Sequence, residues 1–467
     1  MSFSSYSRNI NFWIVLFFAV RMYGITFPPI EIGHNWRQTD GLMIARNFYE
    51  VDSNILYPRV DLAGDKSGIV GSEFPILNYL VYLLSLVFGF HDWFGRLIVL
   101  TFSSFGAFYF YRLVKSAFQE TVAFNSTLLL MASMWFSFSR KMIPDVFAAS
   151  LCIMALYFAY RYLKEGGSYR LLLVLVLATL GTTSKILTAT ILTALVVPMF
   201  DKTIPLSRKA LLSVVSTIVL GLVAWWYFMW VPHLNTIGFA GHFFMGLTFK
   251  EGLMSIMEMP LPVFDKLFLS PIKYTGFAAL MISLFFAIKT KRWIPLLCFS
   301  VPAFSFLLIF VKTGSYIATG DNYYVLTLIP AIAFIIGYGL SLIGNRKVAV
   351  VALTIICVES MADQIYDFRI KAPLKSLAAL EPVMDQYSQR DDLIAINCES
   401  DYPTAMFMAH RRGWCVPYDL TNPAVVDDLK NRGCKLILIT KELYGDLELP
   451  YPVVYDSESF RLYRLKD

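Results

Sequence analysis

The stretch EIGHNWRQTD at residues 31–40 packs two carboxylates, an imidazole, a guanidinium, side-chain amides and an indole into ten positions. Glu31 and Asp40 are of the type that serves as a general base or as a metal ligand. Arg37 offers a planar fork suited to phosphate. His34 suits the role of base, metal ligand or sugar contact, and Trp36 and Gln38 would line a polar pocket beside it. Asp40 has a second use, as cap of a following helix. Leu42, Ile44 or Ala45, Phe48 and Tyr49 recur at helical spacing and predict a short amphipathic helix on the membrane face. The plain alternative is a solvated loop with one interfacial Trp, and the cluster alone leaves both readings open.

Three further groups carry charge or phenol into apolar surroundings. They are Arg140, Lys141 and Asp145 in SRKMIPD, Lys185 in GTTSKIL, and Asp321, Tyr323 and Tyr324 in GDNYY. Charges at membrane depth are costly and mark a functional site or a pair by default. Taken singly, Lys185 or Arg140 could snorkel, Asp145 could simply pair with Arg140, and the tyrosines could belong to an interfacial belt.

The elements that must position these groups are membrane helices. The chain has 467 residues, 57% hydrophobic and only 16% charged, against roughly 25% charged in soluble proteins. Apolar runs recur at about the 17–25 residues needed to cross hydrocarbon, where only helices satisfy the backbone. The first is at 11–27 and eleven more lie between 74 and 360. The expected fold is a mostly α polytopic transmembrane bundle of about 11–13 spans. Its domains are 1–361, with outer loops 28–72 and 232–270, and a soluble α/β domain at 362–467. The net charge of +6 sits in short loops, at Arg112/Lys115, Arg161/Lys164/Arg170, Lys202/Arg208/Lys209, Lys289/Lys291/Arg292 and Arg346/Lys347. Those loops read as cytoplasmic. The pattern puts every candidate residue and the C-terminal domain on the opposite face, and it gives no basic stripe for nucleic acid. Twelve spans from an internal N-terminus would return the C-terminus inside, so one run between 74 and 115 cannot be a simple span.

In the C-terminal part, 393–397 and 435–440 read as buried strands. A helix at 422–432 is capped by Asn422 and stopped by Gly433. Residues 453–455 and 461–463 read as a closing strand pair, and RRGW at 411–414 either as a contact for a glycan acceptor or, the favoured reading, as a plain turn with an exposed arginine pair. The six cysteines show no CxxC spacing and read as free thiols. Loop 232–270, with His233 and His242, reads either as a cover for the site or as a simple interfacial loop.

The acidic first loop before ARNF (45–48), RKMIPD (140–145), Lys185 and NYY (322–324) with Pro330 together resemble the GT-C lipid-linked-sugar glycosyltransferases. The similar branch includes bacterial aminoarabinose transferases and protein O-mannosyltransferases, and the resemblance covers about residues 8–360. It implies transfer of a sugar, with inversion, from a polyprenyl-phosphate donor to a lipid, glycan or protein acceptor. It places the reaction at the extracytoplasmic face of a bacterial cytoplasmic membrane. It implies Glu31 or Asp40 as the catalytic carboxylate, with Glu31 favoured because it directly follows the first span. Arg37, Arg140, Lys185 and Tyr323 would handle the phosphate. His34, Trp36, Gln38, Asp145, Asp321 and Tyr324 complete the expected substrate-binding set. No cofactor is required by this reading, and a divalent cation is compatible with it. This sequence has no adjacent Asp-Glu pair in the first loop, where many members of the family do. The competing classes are a transporter or flippase of lipid-linked saccharides, which would call for an internal repeat, and a glycan polymerase or ligase, which would call for a large late outer loop. A scaffold would not need Glu31, Arg37 and Asp40 together.

Overall fold

The computed structural model describes residues 9–239, 246–319, 322–398, 403–417 and 419–465. They form a mostly helical chain with one five-stranded sheet near the C-terminus. Five helices are long and apolar enough to cross a membrane: Trp93–Ala117, Pro144–Glu165, Leu206–Ile237, Pro260–Lys289 and Trp293–Tyr316. Shorter apolar helices include Ile10–Arg21, Ile76–Phe88, Ser168–Ser184, Ile186–Met199 and Ile329–Ser341. The chain divides into two compact units. One comprises Met1–Ile25, Arg96–Tyr227 and Met245–Ile365; the other comprises Thr26–Gly95, Phe228–Phe244 and Tyr366–Asp467.

In the first unit, Pro144–Glu165 is the central element, with 83% of its apolar window buried, whereas the windows of Leu206–Ile237 and Trp293–Tyr316 are 28% buried and present large side chains outward. Small residues let the central helices approach closely. A Cβ at Gly181 would come within 2.7 Å of Cys152 Sγ, and one at Gly337 within 2.2 Å of Ser126 Oγ. The helix Ser168–Ser184 stops at Lys185, whose backbone is extended (φ −159°, ψ 108°). Its last turn is already loosened, because Thr182, Thr183 and Ser184 each donate a hydroxyl back to a carbonyl four residues earlier. The region read as outer loop 232–270 is largely helical where described. Phe249–Glu258 starts from a Thr248/Glu251 capping box and leaves Phe249, Leu253 and Met257 exposed. His242 lies outside the described residues.

In the second unit, the helix in the first loop starts at Asn35, not after Asp40, and runs to Glu50. It is not an amphipathic helix on a surface: Leu42 to Phe48 are buried without a break. One side meets Ile76–Phe88, where Asn78 Nδ2 donates to the Gly41 carbonyl at 2.6 Å and the Phe48 ring meets Tyr79 edge-on at 5.5 Å. Another side meets the C-terminal helix Thr404–Ala409, where Thr39 and Thr404 hydroxyls lie 3.2 Å apart. Arg46 locks this packing. It donates to Asp61 Oδ2 at 2.9 Å and to the Phe407 carbonyl at 3.0 Å, with its guanidinium over the Phe407 ring. Asn47 Nδ2 gives Asp61 a second bond at 2.7 Å. Thirteen-residue Ile76–Phe88 is about 20 Å long, short of the ~30 Å of hydrocarbon. It belongs to the same compact unit as the first loop.

The sheet has order β2-β1-β3-β5-β4, with β1 Leu393–Asn397, β2 Arg412–Val416, β3 Cys434–Thr440, β4 Val453–Asp456 and β5 Phe460–Arg464. β1 pairs in parallel with β2 and β3, and β5 pairs antiparallel with β3 and β4. The helix Pro423–Asn431 between β2 and β3 is capped by the Asn422 side chain. RRGW is not an exposed turn. Arg411 is buried at 1% exposure and holds Asp385 and the Ser388 carbonyl, each at 2.9 Å, while Arg412 opens an edge strand. Gly413 (φ 152°) sits so close to β1 that a Cβ would reach 1.7 Å from the Ile394 carbonyl oxygen. Burial pushes the Cys434 thiol up to about 12.

His410, in the left-handed region (φ 49°), joins Glu381 at 2.8 Å and Glu50 at 3.0 Å. Burial pulls its pKa down, but the two carboxylate hydrogen bonds outweigh that and raise it above 6.5. Glu381 is held at about 2, chiefly by His410. The His410 contribution is full below pH 6.5 and is lost as pH rises through its raised folded value. The Glu381 contribution is present above pH 4.5 and fades as pH falls toward 2. Protection of the Glu50 end of the helix from hydrogen exchange is therefore expected to be greatest between pH 4.5 and 6.5 and to fall as pH rises through the raised His410 value, with His410→Gln removing that high-pH loss. Asp61→Ala strands the buried Arg46 and is expected to cost about 3–5 kcal/mol in denaturant unfolding of the solubilised chain.

Candidate functional site

The candidate residues fall in two sets, one in each unit. In the second unit the chain leaves the first helix and turns through two successive left-handed residues, Gly33 (φ 87°) and His34 (φ 62°). Such a conformation is uncommon outside glycine and is tolerated better by His than by bulkier residues. The turn starts the helix at Asn35, so that Trp36, Arg37, Gln38 and Asp40 all leave its first two turns. Ile32 N donates to the Arg369 carbonyl at 2.6 Å, tying the Glu31 segment to the start of the C-terminal stretch of the same unit. Glu31 and Gln38 are fully buried, Asp40 is 2% exposed, and His34, Trp36 and Arg37 are half-buried.

Arg37 is the hub of this set. Its Nη1 donates to Asp40 Oδ2 at 3.1 Å and its Nη2 to Glu73 Oε1 at 2.5 Å. Charge-assisted pairs of this kind are short and orienting. Asp40 is therefore not a helix cap: it lies one turn inside the helix and serves as a counter-ion. Glu73 was not singled out from the sequence. Its signal was weak, a lone acid in GSEFP just before an apolar run.

In the first unit, Asp145 is fully buried in the first turn of Pro144–Glu165, with Pro144 as the opening residue. Lys185 Nζ lies 3.5 Å from Asp145 Oδ1 and over the rings of Tyr323 and Tyr324, at 5.1 and 4.8 Å from their centroids. Lys185 thus does not snorkel outward; it is 6% exposed among aromatic faces that favour a cation. Tyr323, at 3% exposure, is a core residue rather than part of an interfacial belt. Arg140 is buried and donates to the Tyr23 carbonyl. Asp321 lies outside the described residues.

Three more buried cations sit in the same unit, Lys141, which the sequence reading singled out, and Arg21 and Arg96, which it missed. Lys141 is 1% exposed with its ammonium 4.4 Å over the Phe138 ring. Arg21 donates to Ser139 Oγ at 3.3 Å and to the Ser137 carbonyl at 3.1 Å. Arg96 reaches the Ile25 carbonyl at 3.4 Å. Among the described residues buried in this unit, five cations (Arg21, Arg96, Arg140, Lys141 and Lys185) stand against one carboxylate, Asp145. A set so unbalanced suits an anion. Arg21 and Arg96 were hidden because they end or begin apolar helices, where a basic residue usually reports topology.

Residues 72–228 match the family model described as dolichyl-phosphate-mannose-protein mannosyltransferase. No curated protein sequence matches the chain. Among solved structures, 97% of the chain superposes on ArnT from Cupriavidus metallidurans in the apo state, with TM-score 0.64, 14% identity and 97% of that chain covered. The same ArnT bound to undecaprenyl phosphate gives 0.62, 15% identity and 98% of that chain. An Archaeoglobus fulgidus oligosaccharyltransferase, in complex with Zn and sulfate, gives 0.55 and 12% identity, over 91% of this chain and 68% of that one. At such identities the likeness is one of fold, and the fold is that of the GT-C glycosyltransferases. Among the described residues no three His, Cys, Asp or Glu side chains group to hold a metal. Asp40 and Glu73 converge on a guanidinium instead, a donor set that does not fit a cation.

Lys185→Met removes the ammonium beside a buried carboxylate, at an expected cost of about 3–5 kcal/mol. A lower melting temperature of the solubilised protein would report it. Adding Asp145→Asn is expected to restore most of that loss.

Proposed function

We propose that the chain is a membrane glycosyltransferase that moves a sugar from a polyprenyl-phosphate donor to a hydroxyl of a lipid, glycan or protein acceptor. The single observation that carries this reading is the surplus of buried cations in the helical unit, five against one carboxylate. The phosphate of an amphiphile with an apolar tail is the kind of anion such a cluster of guanidinium and ammonium groups holds. The fold shared with ArnT, one structure of which holds undecaprenyl phosphate, supports the same donor class.

The chemistry follows from the residue types. Glu31 takes the proton of the acceptor hydroxyl as its oxygen attacks the anomeric carbon; the bond to the phosphate oxygen breaks on the opposite side, giving inversion. Charge develops on the departing phosphate, where Lys185 and Arg140 stabilise it and Tyr323 can donate a hydrogen bond. Glu31 is favoured as the base because it directly follows the first span, whereas Asp40 is paired with Arg37. Arg37, held by Asp40 and Glu73, acts to order the first loop. His34, Trp36 and Gln38 line the acceptor side, and Asp145 and Tyr324 hold Lys185 in place.

The reaction is assigned to the extracytoplasmic face of a bacterial cytoplasmic membrane, with residues 362–467 as the soluble domain on that face. The packing of the first loop against Thr404–Ala409 supports a common side for the two segments. The basic loops favour the other side for Arg112, Arg208 and Arg346.

The test is transfer of radiolabelled sugar from a panel of polyprenyl-phosphate donors to membrane extracts. Glu31→Gln is expected to lower turnover by about 10²–10⁴ with normal membrane insertion, and Asp40→Asn by about tenfold through loss of order at Arg37. Full activity in both variants would sink the base assignment. The stability-restored Lys185→Met/Asp145→Asn variant is expected to stay inactive; recovery of transfer would remove Lys185 from the phosphate site.

A further inference from the structure

Two cavities of the helical unit lie apart from Asp145, Lys185 and Tyr323 and share one residue, Glu120. The larger, of roughly 1340 Å³, is a groove walled mainly by three helices, with Leu340 and Ser341 of Ile329–Ser341 also lining it. Trp13, Leu16, Phe17 and Val20 present one face of Ile10–Arg21 to it. Phe124, Leu128 and Met131 do so from Glu120–Ala132, and Ala349, Leu353, Cys357 and Met361 from Arg346–Gln364. All three series follow the spacing of a single helix face. Three apolar faces turned toward one space would normally close on each other. Here they line one groove over the fifteen steps from Arg346 to Met361, about 22 Å at 1.5 Å per residue. That is deeper than one leaflet, about half of the ~30 Å hydrocarbon thickness.

The smaller cavity, of roughly 580 Å³, is polar. It is lined by Asn9, Asn11, Arg112, Lys115 and Ser116 as well as Glu120. Lys115 is neutralised by Glu120 at 2.7 Å. Arg112 in this cavity and Arg346 at the mouth of the groove are different: among the described residues neither lies within ion-pair distance of a carboxylate. The Arg112 guanidinium instead rests near the Phe108 and Tyr157 rings, its Nη2 3.4 Å from the Tyr157 hydroxyl. Both residues belong to the basic loops, at headgroup level by topology.

We propose that this pair of cavities is a binding site for one anionic glycerophospholipid of the leaflet on the basic-loop side. Its phosphate sits between Arg112 and Arg346, and its acyl chains fill the groove against Phe17, Phe124 and Leu353. The apolar groove alone would accept any chain. The two uncompensated arginines at one end select a phosphate with net negative charge, and Glu120 beside Lys115 disfavours placing a second anion deeper. The lipid is a structural ligand that holds Ile10–Arg21 against the bundle. The proposal is independent of the glycosyltransferase reading, whose Asp145, Lys185 and Tyr323 line neither cavity.

The experiment is native mass spectrometry of the full chain purified in mild detergent, with thermal shifts on adding phosphatidylglycerol, phosphatidylcholine, polyprenyl phosphate or inorganic phosphate. One phosphatidylglycerol per chain is expected to be retained and to raise the melting temperature, with little effect of phosphatidylcholine. Arg112→Gln/Arg346→Gln is expected to reduce retention about tenfold, and Ala349→Phe, which fills the groove, to abolish it. Arg112→Lys/Arg346→Lys keeps the charge and is expected to retain the lipid, which separates loss of binding from loss of fold. Equal retention of phosphatidylcholine, an equal shift with inorganic phosphate, preference for polyprenyl phosphate, or co-purification of a small apolar polypeptide in place of lipid would each overturn the assignment.

Discussion

The cost of holding charge in a medium that cannot solvate it constrains this molecule more than any other single factor. Hydrocarbon and protein interior alike demand that each buried ion find an opposite charge, a carbonyl or an aromatic face. Lys185 meets the demand with Asp145 and two tyrosine rings. Arg21 meets it with Ser137, Ser139 and the Phe136 ring. Each solution brings distant stretches of the chain together, so the polar residues fix the register of helices whose apolar surfaces would slide past one another.

The same rule organises the other unit by different means. Asp61 is buried, and Arg46 and Asn47 from one helix turn satisfy it. Arg46 reaches on to the Phe407 carbonyl, so one guanidinium joins the first loop to the C-terminal segment 361 residues away. Arg432 and Asp65 add a second clasp at 2.6 Å, and His410 with Glu50 a third. The first loop is thereby a structured part of the C-terminal unit. A loop fastened at three points can present Glu31 and the Arg37 fork in one geometry, which catalysis by positioning requires.

Part of the chemistry was legible in the chain because charge is rare in it. With 16% charged residues, Lys185 in an apolar run and the density of 31–40 stand out without any structure. Arg37 and Asp40 are three residues apart and could be guessed to meet. Glu73 could not, because it is 36 residues from its partner and pairs only when the turn after 51 folds back. Arg411 shows the opposite failure: two adjacent arginines before a glycine read as solvated, but one of them is the buried anchor of Asp385.

By itself the sequence determined the helical bundle, the strands at 393–397 and 435–440, and the capped helix between Asn422 and Gly433. These follow from local rules: hydrocarbon forces helices, alternation and β-branching favour strands, and side-chain caps end elements. Only the tertiary structure decided that Ile76–Phe88 packs with the first loop, that residues 42–48 are enclosed rather than lying on a surface, and that Arg412–Val416 is an edge strand. It also decided which ion pairs form. Those outcomes depend on which distant surface a segment meets, and burial by a partner far along the chain leaves no periodicity in the segment that is buried.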